Sequence, residues 1–388
     1  MRILLIADGM YPVVNGGMQK HSYYLAKFLA KHQHEVDLAH FVPHGQPLEA
    51  DQYPALKEIK SGKLRFFPYS IANKDSLPGH YIRENKALSN LVYEDWKDQL
   101  DAFDLIYCQG YSAWGFLEAK RKGVSMPPVI CNLHGYEMYQ KPPSFKTQLA
   151  LYMLRGITKK VSLESDYVYS YGGKITDIVR QLGVPDEKIL EAPLGIESNW
   201  LQPSPSPREG RLKFVFIGRN ERRKGIQELT QAIQKLLNKA SGQFEFHFIG
   251  DIEETARINH EQVIYHGLLM GEHLIQPIMR SCDVLVTPSY SEGMPTVIME
   301  GMASGLAVIA TDVGAVNKQL VGNGWLLPDS QVETILDALE SALSCPEEKL
   351  QAYKRKSLEN VQAFLWEAVV LRKIAQFKRI TQASPQTA

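Results

Sequence analysis

The sequence predicts an α/β protein made of two doubly wound domains, each a parallel sheet with helices on both faces. Apolar runs typical of strands alternate with amphipathic helical segments along most of the 388 residues, and this alternation is interrupted once, near the middle. A chain of this length is also sufficient for two domains of ordinary size. Because parallel strands end at a common edge, a cleft between the two domains is the expected place for a ligand.

The first half contains seven strand-like runs. Apolar runs rich in β-branched residues indicate strands, and apolar residues at three- and four-residue spacing indicate helices. The strands are predicted at ILLIAD, HEVDLAHF, LRFFPYS, LIYCQG, PVICNLHG, YVYSYGG and KILEAPLG. Helices are predicted near Gln19–Lys31, Tyr81–Gln99, Ala113–Arg121, Ser144–Ser162 and at ITDIVRQLG.

Residues 197–210 interrupt this rhythm. They are rich in Pro and Ser and show little periodicity, so they are the best candidate for a linker. The second half then repeats the pattern, with strands predicted at LKFVFIG, FEFHFIGD, VIYHG, DVLVTPS, AVIAT and GWLLP. Helices are predicted at Ile226–Lys239, after Pro295, at Val332–Leu343 and over the tail Asn360–Ile380.

Composition and charge exclude several functional classes. Lys plus Arg and Asp plus Glu both number 43, so the formal net charge is zero and no basic field favours nucleic acid. The four cysteines form no CxxC pair, and Cys131 and Cys282 lie in apolar runs typical of reduced core residues. The first apolar run is a strand rather than a signal peptide, and no run of ~18 apolar residues predicts a transmembrane helix. We expect a cytoplasmic enzyme, and the sequence also allows a place of work at the inner face of the membrane.

The most informative stretch runs from Asp283 to Gly314 and is typical of a strand, an acidic loop, a short helix and a strand. Pro295 suits a helix start, because its missing N–H would have no partner there. Glu292 lies in the loop before that helix, and Glu300 lies within it, eight positions further on. Carboxylates accept hydrogen bonds from hydroxyls, and free N–H groups at a helix start attract phosphate. The pair therefore suits a ligand with hydroxyls and phosphate, unless the segment is an ordinary βαβ unit with two solvated glutamates.

A basic loop follows the first strand of the second half. Arg219 comes directly after that strand, and Lys224 precedes the next helix. These positions place two cations at the mouth of the sheet, where α/β folds bind ligands and where cations can neutralise a departing diphosphate. We expect Arg219 and Lys224 to bind phosphate, whereas Arg222 and Arg223 are expected to be solvated.

Two further candidate sites lie in the first half, where strands end. Gly16 and Gly17 follow the first strand and precede a helix; glycines permit positive φ and close approach of the backbone to a ligand. Their loop lacks GxGxxG, so it does not support a nicotinamide-binding fingerprint. His134 lies at the carboxyl end of a predicted parallel strand, where α/β sites are built. The ordinary alternatives are a plain turn and a packed strand-end histidine.

Together these segments resemble the family-four retaining glycosyltransferases of the GT-B fold, also called glycosyl transferases group 1. The resemblance extends over the Arg219 and Lys224 loop, the glycine pair and the His-Gly strand end. Its most specific part is one motif, matched by Glu292, Gly293, Pro295, Glu300, Gly305, Val308, Ile309 and Ala310.

The resemblance implies a domain organisation. Two Rossmann-like domains should face a central cleft, with residues 1–196 forming an acceptor-binding domain and residues 197–365 forming a nucleotide-sugar-binding domain. A final helix over residues 366–388 should cross back and complete the first domain.

The resemblance also implies the reaction. A sugar, in particular a hexose, should move from a nucleoside diphosphate sugar to an acceptor hydroxyl with retention of configuration, without metal or further cofactor. The catalytic residues would be His134, Glu292, Arg219 and Lys224. Glu292 should bind sugar hydroxyls, and His134 should face the donor sugar. The donor-binding positions would be Gly16, Gly17, Arg219, Lys224, Gly293, Met294, Thr296, Val297, Glu300 (ribose) and Leu268 (base).

The implied partners are the nucleotide sugar and a glycan, lipid-linked or small-molecule acceptor, in glycan, glycolipid or polysaccharide biosynthesis. Four other interpretations fit parts of the sequence. A sugar-nucleotide epimerase shares this architecture, and a sugar-binding protein would bind without turnover. A phosphorylase would need a pyridoxal phosphate lysine, for which no candidate stands out. A dinucleotide-dependent oxidoreductase would need the GxGxxG that both glycine-containing loops lack.

A basic and apolar segment from Lys141 to Lys160 predicts a long helix with large apolar side chains among cations. Such a helix on the acceptor-binding domain could dock on anionic lipid near a lipid-linked acceptor. The alternative, which the sequence alone favours, is a core helix with a solvated basic edge.

Overall fold

The computed structural model describes residues 1–14, 16–42, 63–70 and 79–383. The first sheet consists of seven parallel strands in the order β3-β2-β1-β4-β5-β6-β7. They are β1 (Arg2–Ala7), β2 (Glu35–Phe41), β3 (Leu64–Tyr69), β4 (Leu105–Gln109), β5 (Val129–Asn132), β6 (Tyr167–Ser170) and β7 (Ile189–Glu191). β1 and β4 are buried along nearly their whole length, which explains their continuous apolar sequences.

The second sheet has six parallel strands in the order β10-β9-β8-β11-β12-β13. They are β8 (Leu212–Ile217), β9 (Phe244–Ile249), β10 (Val263–Tyr265), β11 (Val284–Thr287), β12 (Ala307–Thr311) and β13 (Gly324–Leu327). In each sheet the strand order reverses once, between β1 and β4 and between β8 and β11. Ligands of open α/β sheets bind at such reversals, beyond the carboxyl ends of the strands. The predicted architecture of two doubly wound domains is confirmed.

Helices connect the strands and cover both sheets. In chain order they are α1 (Gly17–Lys31), α2 (His80–Trp96), α3 (Trp114–Arg121), α4 (Phe145–Glu164), α5 (Lys174–Gln181), α6 (Ile226–Ala240), α7 (Glu272–Arg280), α8 (Thr296–Ala303), α9 (Val316–Gln319), α10 (Val332–Leu343), α11 (Glu347–Asn360) and α12 (Trp366–Ala383). None of the helices in the described ranges is long and apolar enough to cross a membrane.

The chain passes between the two sheets twice, and the two passages lie side by side. The N–H of Ile196 donates to the carbonyl oxygen of Phe364 at 2.8 Å, and the N–H of Trp366 donates to that of Ile196 at 3.1 Å. From Trp366 onward, the apolar side of α12 packs with α1 in the core of the first sheet. The bounds of the two predicted domains stay predictions, and residues 384–388 of the predicted final helix lie outside the described part of the chain.

One predicted element is wrong. The tail was expected to be helical without a break over Asn360–Ile380, but a 3₁₀ turn over Val361–Phe364 and an extended Leu365 separate α11 from α12. Leu365 forms a β-bridge with Ile196, and a residue inside a helix could not make that pairing. The contact that breaks the helix is therefore made by the passage between the domains, which local sequence does not reveal.

Candidate active site

The loop after β11 meets the loop after β5 at the junction between the domains. Gly293 has no room for a side chain, because a Cβ there would lie 3.0 Å from the carbonyl oxygen of His134 and 3.1 Å from the Cα of Gly135. Gln140 fixes the backbone of Glu292: its Nε2 donates to the Glu292 carbonyl oxygen at 2.6 Å, and its Oε1 accepts from the Glu292 N–H at 3.3 Å. Three predicted site residues, Glu292, Gly293 and His134, are thus brought together from opposite domains.

The Glu292 carboxylate lies in a cluster of charges, with only 8% of its side chain exposed. Its Oε1 accepts hydrogen bonds from Lys224 Nζ at 2.6 Å and from Ser289 Oγ at 2.8 Å, and its Oε2 accepts one from Arg223 Nη1 at 3.3 Å. Burial acts to raise the pKa of this carboxyl, but the two cations and the hydrogen bonds outweigh burial and lower the pKa below its usual value. Glu292 is therefore an anion at neutral pH.

The basic loop after β8 supplies both cations. Lys224 and Arg223 are consecutive in a 3₁₀ turn that ends at Gly225. Gly225 has a φ of +71°, and a Cβ there would lie 2.1 Å from the carbonyl oxygen of Pro288, so only glycine fits. This close approach of the β8 and β11 loops brings the two cations to Glu292.

The other two arginines of this loop are directed elsewhere. Arg219 has a side chain that is 75% exposed and pairs with Glu221 at 2.9 Å. Arg222 pairs with Glu228 of α6. The structure therefore brings Lys224 to Glu292 as predicted, adds Arg223, which was expected to be solvated, and leaves Arg219 on the surface. Spacing alone does not distinguish these cations, because the conformation of the turn decides which of them face the cleft.

His134 stands on the opposite wall, with both ring nitrogens bonded inside the first domain. Its Nε2 donates to Gln109 Oε1 at 2.6 Å, and its Nδ1 accepts from the Tyr171 hydroxyl. Burial, and to a smaller degree Lys373, lower the pKa of His134 to about 3, so the ring is neutral. A hydrogen bond from this ring to a donor sugar requires one of its present bonds to open, and the catalytic role of His134 stays a prediction.

Glu300 lies at the other end of the same chain segment, on α8. Burial raises the pKa of Glu300 to about 6, Lys20 of α1 opposes this rise, and Glu272 adds to it. Lys20 Nζ also pairs with Glu272 Oε1 at 3.1 Å, an ion pair that joins the two domains. A cavity of about 40 Å³ is lined by Glu300, Thr296, Gly17 and Lys20, among others. Three predicted donor-binding residues therefore share one cavity.

The glycine pair does not use positive φ, so that reason for its presence was wrong. Gly16 is extended, with a φ of −176°, and Gly17 begins α1 directly. A Cβ on Gly16 would lie 2.3 Å from Gln19 Oε1, the end of a flexible side chain that can move aside, and a Cβ on Gly17 would meet no atom within 4 Å. The packing of the protein chain therefore does not explain the glycine pair.

Three other predicted donor-binding residues differ in how far their side chains are exposed. Met294 is 4% exposed and its Sδ accepts from the N–H of Leu194 at 3.3 Å, and Val297 is 9% exposed; both side chains belong to the core. Leu268 is 63% exposed, so most of its surface is in contact with solvent rather than with the rest of the protein.

Two carboxyl groups that were given no role also lie at the carboxyl edge of the first sheet. Asp8 follows β1, its Oδ1 is buried without a hydrogen-bond partner, and burial raises its pKa to about 7. Glu137 follows β5; burial raises its pKa, while Arg223 of the opposite domain opposes that rise. Asp8 is the last residue of the predicted strand ILLIAD, and Glu137 lies two residues beyond the predicted strand PVICNLHG, so both positions could have identified them as site candidates.

His21 of α1 is a further residue that the sequence did not indicate. It is 2% exposed, lines the same cavity as Glu300, and neither of its ring nitrogens has a hydrogen-bond partner. Its ring lies 5.6 Å from that of His134 and 5.4 Å from that of Trp366. Its burial depends on α12 returning to the first domain, which local pattern does not reveal. Within the described ranges, no three His, Cys, Asp or Glu side chains are grouped to hold a metal ion.

Comparisons with known proteins agree with this geometry. The family model described as Glycosyltransferase Family 4 matches residues 15–200, and the one described as Glycosyl transferases group 1 matches residues 211–345. An uncharacterized glycosyltransferase of Methanocaldococcus jannaschii is 31% identical over 336 residues, which cover 81% of this chain and 89% of that relative. The chain belongs to the group 1 glycosyltransferases.

Two other relatives of this glycosyltransferase have more specific names. The phosphatidyl-myo-inositol mannosyltransferase of Mycolicibacterium smegmatis is 26% identical over 403 residues, covering 99% of this chain and 95% of the relative. A glycosyltransferase of Bacillus subtilis named for teichuronic acid biosynthesis is 27% identical over 273 residues. That match covers 67% of this chain and 66% of the relative, slightly less than two thirds of its length.

Solved structures show the same GT-B fold. The sucrose-phosphate synthase of Thermosynechococcus elongatus superposes with a TM-score of 0.78 at 19% identity, covering 99% of this chain and 100% of that one. An Anabaena protein in complex with UDP and glucose superposes with a TM-score of 0.67 at 17% identity, covering 98% and 100%. The expected fold is thus confirmed over the full length of both neighbours.

Proposed function

We propose that this glycosyltransferase moves a hexose from a nucleoside diphosphate sugar to an acceptor hydroxyl with retention of anomeric configuration. The observation that carries the proposal is the Glu292 carboxylate, held as an anion by Lys224 and Arg223 at the point where the two domains meet. An anion fixed among cations can accept hydrogen bonds from sugar hydroxyls while the cations remain close to the phosphates of the same donor.

The donor fits along the segment between the two glutamates. Glu300 accepts the ribose hydroxyls, and the first N–H groups of α8, at Thr296 and Val297, face the phosphates. Helix starts bind phosphate because their first N–H groups have no partner within the helix. With Glu292 at one end of this segment and Glu300 at the other, the sugar and the nucleoside would lie at opposite ends of the loop and its helix.

The chemistry follows from which groups carry charge. The bond between the anomeric carbon and the diphosphate breaks, the bond from the acceptor oxygen forms on the same face, and the acceptor proton passes to a leaving phosphate oxygen. Lys224 and Arg223, with Arg219 as a third cation that must swing inward, stabilise the charge that grows on the diphosphate. Glu292 is bonded to cations and Ser289 and acts on hydroxyls rather than as a nucleophile.

The acceptor class is supported by the relatives' names. One relative is a phosphatidyl-myo-inositol mannosyltransferase, and another is named for teichuronic acid biosynthesis. We therefore assign the enzyme a glycan or lipid-linked acceptor and a cytoplasmic place of work, where nucleotide sugars are available.

The test is incubation of the enzyme with UDP-, GDP- and ADP-sugars, following release of the nucleoside diphosphate with and without crude glycan or lipid extracts as acceptors. We expect one sugar nucleotide to be consumed. Release should be lowered ~10–100-fold in Glu292→Gln, because the neutral amide loses charge-assisted hydrogen bonds, which contribute about 1.5–3 kcal/mol. Conversion to an isomeric sugar nucleotide without release would identify an epimerase, and binding without turnover of any donor would identify a sugar-binding protein. Either result contradicts the proposal.

A further inference from the structure

The first half of α4 has an exposed apolar face. Four large side chains on it are mostly exposed: Phe145 at 81%, Leu149 at 64%, Tyr152 at 63% and Met153 at 59%. At 3.6 residues per turn they fall within an arc of about 100° on the helix surface. We call these four residues the apolar stripe. The buried positions of α4 begin only at Ile157, so the core helix that the sequence favoured is wrong for this half.

Cations flank the apolar stripe on both sides. The helix has four basic residues and one carboxylate, Glu164 in its last position, which pairs with Arg121 at 3.3 Å. Lys146 lies beside one edge of the stripe and Lys159 continues its other edge, and both are exposed. The chain as a whole has no net charge, so this local excess of positive charge is a property of the surface around α4.

The combination of apolar and basic groups favours one binding partner for this surface over the others. A second copy docking through the same face would bring the cations against their own equivalents, because a two-fold interface pairs a surface with itself. An anionic bilayer offers phosphate charges to the cations and acyl chains to the stripe, which suits a helix lying in the plane of the interface. α4 itself does not meet the requirements for crossing the bilayer.

The apolar stripe also begins close to the reacting end of the cleft. Gln140 hydrogen-bonds the backbone of Glu292, and Phe145 follows five residues later. The Cα atoms of Gln140 and Phe145 can therefore be at most roughly 18 Å apart, since a fully extended chain spans about 3.3–3.6 Å per residue. Pro142 and Pro143 lie between Gln140 and Phe145 in the sequence, and both line a cavity of about 620 Å³. Residues of α5 and of the loops after β11, β12 and β13 also line this cavity.

We propose that α4 docks on an anionic membrane through the apolar stripe and its flanking lysines, and that this orientation presents the cleft to a lipid-linked acceptor. The docking stands on the exposed side chains and charges alone. The statement about the acceptor rests on the proposed function, because it assumes that transfer takes place beside Glu292.

Sedimentation of the full chain with vesicles tests the docking. The parent should bind vesicles of phosphatidylglycerol and phosphatidylcholine at low salt, and bind much less to pure phosphatidylcholine or at high salt, where charges are screened. The double variant Phe145→Glu/Leu149→Glu should bind at least ~10-fold more weakly, because carboxylates replace the inserted side chains. The matched control is Leu371→Glu on α12, which changes a side chain that is 53% exposed away from the stripe and should bind like the parent.

Several outcomes would overturn the docking: no binding of the parent to anionic vesicles, equal binding by the stripe variant, or equal loss in the Leu371→Glu control. A parent dimer in sedimentation velocity that the stripe variant lacks would assign the surface to a second copy instead. The Phe145→Ser variant changes less of the stripe and is therefore less prone to misfold than the double variant. Its loss of vesicle binding should be intermediate between the parent and the double variant. Nucleoside diphosphate affinity is measured on each variant and should be unchanged. If donors are never consumed while vesicle binding persists, the proposed function fails and the docking stands.

Discussion

Glu292 and Glu300 are eight positions apart on one segment and both are buried, yet burial affects them differently. Glu292 has two cations in hydrogen-bond contact, and its pKa is lowered. Burial raises the pKa of Glu300 to about 6, although Lys20, which pairs with Glu272, and Lys224 both act to lower it. The number of cations in contact, rather than burial, decides which carboxyl stays charged. One end of the proposed donor site is therefore an anion at neutral pH, and the other carries a carboxyl whose pKa is raised to about 6.

The sharpest test of this comparison removes a cation from the Glu292 end. In Lys224→Met the Glu292 carboxylate keeps its bonds to Arg223 and Ser289 but loses its nearest cation. The departing diphosphate loses the same cation, so kcat/KM should fall at least ~100-fold, about 2.7 kcal/mol. The kcat/KM of the variant and of the parent is measured from the steady-state release of nucleoside diphosphate.

Arg219→Met is the control for Lys224→Met. Because Arg219 is 75% exposed and pairs with Glu221, its loss should have a smaller effect than the loss of Lys224. Equal losses would show that Arg219, once it has swung into the cleft, stabilises the diphosphate as strongly as Lys224.

The second test acts on the Glu300 end. Glu300→Gln should raise the donor KM by ~10–100-fold, because a hydrogen bond to a charged group contributes about 1.5–3 kcal/mol. In the parent, donor affinity should fall as the pH decreases through about 6, since the protonated carboxyl is the weaker acceptor; the variant should lack this dependence. Steady-state kinetics measures the donor KM, and titration calorimetry with nucleoside diphosphate from pH 5 to 8 measures how the affinity depends on pH.

The thermal stability of the same Glu300→Gln variant tests whether the pKa of Glu300 is raised rather than lowered in the folded protein. A carboxyl whose folded-state pKa is raised opposes folding once it is ionised, so the parent loses this part of its stability as the pH rises through about 6. The variant should therefore melt above the parent at pH 7, with a smaller difference at pH 5. A pH-independent difference would contradict the raised pKa.

The smallest expected effect is at His134, across the cleft from both glutamates. His134→Ala should lower kcat by at least ~10-fold, about 1.4 kcal/mol, with nucleoside diphosphate affinity near normal, if the ring bonds the sugar only in the transition state. Tyr171→Phe releases Nδ1 while keeping the ring, and should cost less. If His134→Ala folds and turns over at the parent rate, the residue is only a packed strand-end histidine.

The limits of prediction are clearest where neighbours come from distant segments. Short runs rich in apolar and β-branched residues were sufficient to place all thirteen described strands, because the strands of a parallel sheet covered by helices are largely apolar, even where edge strands such as β3 and β13 are partly exposed. The tail was wrong at Leu365, because its bridge to Ile196 joins residues 169 positions apart. Arg223 was misassigned for a related reason, since the turn at Gly225 packs on Pro288 of another loop.

The sequence by itself determined the strands of the two sheets, since these follow from periodicity and residue type, and its motifs indicated Glu292, Glu300 and Lys224. Only the tertiary structure decided which cations contact Glu292, that both ring nitrogens of His134 are occupied, and that the apolar stripe of α4 is exposed. These properties depend on distances between segments far apart in the chain. Burial and charge pairing are set by those distances, and local pattern does not encode them.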